Sequence, residues 1–138
     1  MSSIVRCADL FFTILLVGIV IDFSSNNKKC LEREWPVIIF HHILSTMMHF
    51  GWLFDDKRLL AMFVVLNVAM LTEWATFGYC RITRYVNRKC DRQETEPFHD
   101  LIWALGLKKV VIYQNVTAHV LLTILFLCIG IMKLQKKV

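Results

Sequence analysis

The sequence predicts an all-α integral membrane protein, a four-helix bundle with a short interfacial helix before its last transmembrane helix. Three observations predict it. Hydrophobic residues make up 57% of the 138-residue chain, above the roughly half that soluble domains carry, and the mean hydropathy is +0.53. The excess is gathered into four blocks, each approaching the roughly 20 apolar residues that a helix needs to cross about 30 Å of hydrocarbon. None of the blocks alternates as the strands of a barrel would, and backbone groups in lipid must be satisfied within their own segment. Residues 1–138 are read as a single membrane domain.

The first block runs from Ala8 to Phe23, the second from Trp35 to Phe54, the third from Leu59 to Tyr79 and the fourth from Val110 to Met132. Arg6, an apolar core and Ser24-Ser25 also outline a secretory signal. No small-x-small cleavage site precedes Ser24, so an uncleaved helix is expected. Thr95 can cap a helix with Pro97 in its first turn. Beyond it Phe98, Leu101, Ile102 and Leu105 form an apolar stripe at i, i+3, i+4 and i+7. With Trp103 nearby and Lys108-Lys109 following, residues 98–106 read as a helix in the membrane interface. Packing on the protein's own loops is the other reading. Asn115-Val116-Thr117 matches the glycosylation sequon but falls inside the fourth block.

Four crossings put both termini on one side, side A, together with the Asp55–Arg58 turn. Side B holds the Ser24–Glu34 and Cys80–Lys109 segments. Side A carries six Lys and Arg residues and side B ten, which points to a cytoplasmic side B. Cysteines pull the other way. Cys30, Cys80 and Cys90 all fall at side B, and a disulfide among them would need an oxidising compartment. Arg81, Arg84 and Arg88 share one helical spacing and are candidates for lipid headgroup or partner contact. They serve equally as the solvated end of a membrane helix.

Ionisable side chains in hydrocarbon need partners. His42, Ser45, Thr46 and His49 share one face of the second block. Helical rise places His42 about 10 Å, Glu73 about 9 Å and His119 about 13 Å from side B, with Asn115 at a similar level. The candidate intramembrane cluster is therefore His42, Glu73, Asn115 and His119. Three readings are open: a hydrogen-bonded clamp, a proton or ion path, and a divalent metal site. His49 and Asn67 form a second possible polar tie. There is no HExxH pair, phosphate-binding loop or nucleophile elbow. Catalysis, a cofactor and nucleic-acid binding are not expected, and the net charge of +5 comes largely from loops beside the membrane.

The central half carries a recognisable pattern: His41-His42-Ile43-Leu44-Ser45, Phe50-Gly51-Trp52-Leu53-Phe54, Leu59-Leu60, then Trp74, Cys80-Arg81-Ile82-Thr83, Asn87 and Cys90. It resembles small, largely uncharacterised four-helix membrane proteins of giant DNA viruses of algae and protists. The resemblance covers roughly residues 40–90 and implies a viral membrane, such as one under a large capsid, as context. It also implies that Cys80 and Cys90 matter together. Where that pattern often has His before Trp74, this chain has Glu73. The expected function is a structural or assembly component of a viral or other membrane, partnered by lipid and by other membrane or capsid proteins. The alternative is a proton- or ion-conducting or transport protein that uses the intramembrane His and Glu residues. A virion inner membrane and a host endomembrane are the two expected locations.

Overall fold

A computed structural model describes residues 3–25, 28–114 and 116–136. The chain is mostly helical. In order it forms α1 (Ser3–Ser25), α2 (Lys28–Phe50), a 3-10 turn (Gly51–Leu53), α3 (Lys57–Phe77), α4 (Arg81–Lys89) and α5 (Leu101–Ala104). A hairpin of β1 (Val111–Tyr113) and β2 (Val116–Thr117) follows, and then α6 (Ala118–Gln135). Among the described residues three helices are long and apolar enough to cross a membrane: α1, α3 and α6, with mean hydropathies of 2.1, 1.7 and 1.9 over Cys7–Ser24, Lys57–Phe77 and Ala118–Gln135.

The second expected span is a helix of 23 residues, but it does not meet that standard of apolarity. Lys28, Lys29, Glu32, Arg33 and Glu34 lie within α2, and His41, His42 and His49 follow. α2 packs against α1, α3, α4 and α6. Ile38, His42 and His49 are buried, while Phe40 and Ile43 face outward. A helix enclosed by other helices can hold polar groups where they find partners.

Local chemistry sets the ends of α3. Asp56 caps it by accepting from the Arg58 and Leu59 amides. Gly78 ends it at φ 74°, in the left-handed conformation where a Cβ is penalised. The break separates α3 from the basic stripe, so Arg81, Arg84 and Arg88 belong to the separate helix α4. At the opposite end, Lys133 of α6 donates to the Trp52 and Phe54 carbonyls at 3.0 and 2.9 Å and pairs with Asp55 at 3.0 Å. Trp52 stacks on Phe126 with ring centroids 5.4 Å apart.

Two expectations are corrected. The helix expected over 98–106 is only Leu101–Ala104, and it is sunk on one side, with Ile102 buried and Ala104 and Leu105 exposed. Phe98, His99, Asp100 and Ile102 are buried, with α5 against α1. A Cβ placed on Gly18 would lie 3.4 Å from His42 Nδ1 and 4.0 Å from the Leu101 amide. Gly18 is seven residues from the end of α1, so the segment reaches roughly 10 Å along that helix. The apolar stripe was legible, but Asp100 among it seeks buried partners rather than a bilayer surface. The second correction concerns the last span. β1 and β2 form a hairpin, where Val111 pairs with Thr117 and Gln114 has φ 39°, and α6 begins only at Ala118. The β-branched run Val110, Val111 and Ile112 favours extended backbone.

Phe63 is fully buried between two glycines. A Cβ on Gly51 would stand 2.7 Å from Phe63 Cδ2, and one on Gly130 would clash with the same ring. Gly130→Ala should therefore destabilise the fold by about 1–3 kcal/mol, and Phe63→Leu in the same chain should recover part of the loss. Thermal unfolding in detergent checks both. An unchanged midpoint for Gly130→Ala would remove the α3–α6 packing account.

Candidate functional site

The polar residues of α2 meet their partners on three sides. Towards α1, His42 Nε2 lies 3.1 Å from Asp22 Oδ2, and both side chains are buried. Arg92 Nη2 approaches the other oxygen of Asp22 at 3.6 Å. Towards α5, the Ser45 hydroxyl donates to Asp100 Oδ2 at 2.5 Å, and Lys108 Nζ donates to the same oxygen at 2.7 Å and to the Phe98 carbonyl at 2.9 Å. Asp100 Oδ1 accepts the Trp103 amide at 2.9 Å and so caps α5. Towards α4, His41 Nε2 lies 3.2 Å from Thr83 Oγ1 and 3.4 Å from Cys80 Sγ. His49 Nδ1 stays on its own helix, 2.8 Å from the Ser45 carbonyl.

The loop after α4 is fixed by the same logic. Asn87 donates to the Glu96 carbonyl at 2.7 Å. Glu94 receives both Arg84 and Arg88, the latter at 2.6 Å. Cys90 forms a disulfide with Cys30 of α2, with their Cα atoms 5.0 Å apart, beside a small core of Ile38, Val86 and Phe98. Cys80 is a free thiol. Most of the chemically distinctive residues in the 40–90 pattern therefore meet in one region: His41, His42, Ser45, Cys80, Thr83, Asn87 and Cys90.

The expected cluster of His42, Glu73, Asn115 and His119 does not form as a unit. His42 turns to Asp22. Glu73 reaches across the Gly78 turn to Arg81, 2.8 Å away. His119 sits in the first turn of α6, with Nδ1 2.6 Å from Thr117 Oγ1 and its ring edge against Trp74. Asn115 lies outside the described residues. The depth given to His119 assumed helix from Val110, and the hairpin removes that assumption. Asn67 donates to its own helix at the Phe63 carbonyl, 2.9 Å away, and makes no tie to His49. Among the described residues no group of three or more His, Cys, Asp or Glu side chains is placed to hold a metal. Sequence reasoning missed the pairing roles of Asp22 and Asp100. Each was a lone acid in an apolar run, and that anomaly was the available signal.

A cavity of about 730 Å³ opens between α2, α3, α6 and the side B loops. Leu44, Met48, Met70, Leu71 and Ile124 line its apolar part, while His41, Cys80, Thr83, Lys108, Thr117 and His119 line the polar part. No family model matches the chain, and neither the curated proteins nor the solved structures contain a match to it.

Outside the long helices, Glu94 and His99 are among the groups whose pKa values are displaced. Hydrogen bonds from Arg88 and Arg84 hold the Glu94 carboxyl below its ordinary value. Burial pushes His99 below the usual 6.5, and Arg92 adds to the effect while Glu96 opposes it. The folded state thus holds the His99 proton less tightly than the unfolded chain. As pH falls through 6.5 the unfolded chain protonates first, and stability declines until the folded value is passed. His99→Gln should flatten the dependence of unfolding midpoint on pH between 7.5 and 5.5. An identical slope in the variant would contradict this.

Removing a partner from a buried pair costs about 3–5 kcal/mol. Asp22→Ala should show a loss of that order in detergent unfolding. Asp22→Asn keeps an oxygen for His42 and should lose less. Equal losses would mean that the His42–Asp22 contact contributes nothing specific.

Proposed function

We propose that the chain crosses the membrane four times, with α2 as the second span, and acts as a structural or assembly component of a membrane or membrane complex. The observation that carries this reading is the internal pairing of the polar groups on α2. His42 with Asp22, Ser45 with Asp100 and His41 with Thr83 join α2 to three other elements. This is the pattern of a clamp, in which hydrogen bonds between polar groups hold helices together. A proton path needs a connected series of groups that can pass a charge. Glu73 and His119, the other members expected of such a path, engage Arg81 and Thr117 instead.

The outward faces support immersion in lipid. Phe12, Leu16 and Val20 on α1, Met62 and Val65 on α3, and Leu121 and Leu125 on α6 are all exposed. Phe40 and Ile43 extend the same surface on α2. The resemblance over residues 40–90 supplies a viral membrane as the setting of the proposal.

Side B is assigned to an oxidising compartment. The Cys30–Cys90 disulfide persists only where the redox poise allows it. The opposing excess of Lys and Arg on side B is ten minus six, or four, a small margin for a statistical tendency.

Two measurements test these assignments. Reconstituted protein should pass no more protons than protein-free liposomes carrying a pH-sensitive dye. A flux that Asp22→Asn abolishes would overturn the clamp. In sealed vesicles, Cys30 and Cys90 should react with a maleimide only after reduction. Reaction of both without a reductant would remove the topology.

A further inference from the structure

The side B cavity is an open cleft of about 730 Å³. That size falls within the roughly 300–1,000 Å³ typical of ligand pockets. Its lining is divided: Leu and Met side chains form one part, and a set of hydrogen-bonding groups forms the other. Such a division suits an amphiphile.

The polar part has unused capacity. His119 Nδ1 is engaged by Thr117, which leaves Nε2 for a further bond. Lys108 uses two of its three N–H groups on Phe98 and Asp100. Charges of both signs surround it: Lys108 pairs with Asp100, Glu94 with Arg84 and Arg88, and Glu96 lies against the His99 ring. Glu94, Glu96 and Lys108 line the cavity, so an anionic head would meet the two carboxylates and a cationic head would meet the Lys108 ammonium. An uncharged head with hydroxyl or carbonyl oxygens meets neither objection, and can accept from Lys108 and exchange a hydrogen bond with His119.

We propose that this cavity binds a single-chain neutral lipid, with the chain against Met48, Met70 and Leu71 and the oxygen-bearing head at Lys108 and His119. Monoacylglycerol is the representative of the class. This goes beyond the structural role, because a bundle can serve in assembly with or without a bound lipid.

The test uses the full chain in detergent, with monoolein, oleate and a lysophosphatidylcholine as probes in native mass spectrometry. Monoolein should bind saturably at one per chain, and oleate and lysophosphatidylcholine should bind about tenfold more weakly. Leu71→Trp, which fills the apolar part, should weaken monoolein binding about tenfold while leaving binding of lipid to the outer surface unchanged. A second readout needs no substitution. Cys80 lines the cavity, whereas Cys7 and Cys128 do not, so monoolein should slow alkylation of Cys80 alone. Absence of saturable binding, tighter binding of oleate or lysophosphatidylcholine than of monoolein, or an unprotected Cys80 would each overturn the proposal.

Discussion

The carboxylate of Asp100 is buried and accepts hydrogen bonds from the Ser45 hydroxyl, the Lys108 ammonium and the Trp103 amide. A buried charge without partners costs several kcal/mol, so such a group is retained only where its surroundings are arranged around it. Here the arrangement joins a loop segment to a helix far away in sequence. Ser45 belongs to α2, while Lys108 lies beyond α5 and folds back onto it. If Asp100 stays inside, then Phe98 and Ile102 stay inside with it, and α5 must lie against α1. Gly18 leaves room for that approach.

The same constraint explains why the side B layer is built as it is. The chain must descend from α4 into the helices and return to begin α6. Asn87 holds the descending strand at Glu96, the Cys30–Cys90 bond fixes the end of α4 to α2, and the hairpin delivers the chain to Ala118. What remains between α2, α3 and this layer is the cavity. The polar pairing that organises the fold therefore also defines the space in which a ligand could sit. Stability and binding draw on the same groups, which is why a substitution at Lys108 would be a poor probe of either alone.

Much of the secondary structure was legible, because apolar runs of helical length leave few alternatives in α1, α3 and α6. The α2 run was legible as a helix, with its face of His42, Ser45, Thr46 and His49. Which partners that face would find was not legible. Matching depth put His42, Glu73 and His119 together, yet depth along separate helices says nothing about which way each side chain turns. Two breaks also escaped the hydropathy pattern. Gly78 stops α3 short of Tyr79, and the Val-rich start of the last block pairs as a hairpin despite being apolar enough for a span. Asp22 and Asp100 were visible as single acids among apolar neighbours. No partner was foreseen for either, yet they are the acids that the buried histidine, serine and lysine meet.

Residues 98–102 are inserted among the helices and held there by Asp100. Hydrogen–deuterium exchange of the full chain in lipid nanodiscs measures this directly. The amides of Leu101–Leu107 should be protected to nearly the degree of α2, and Asp100→Ala should release them while α3 and α6 stay protected. Exchange of that segment in the unaltered protein at the rate of a free loop would contradict the account.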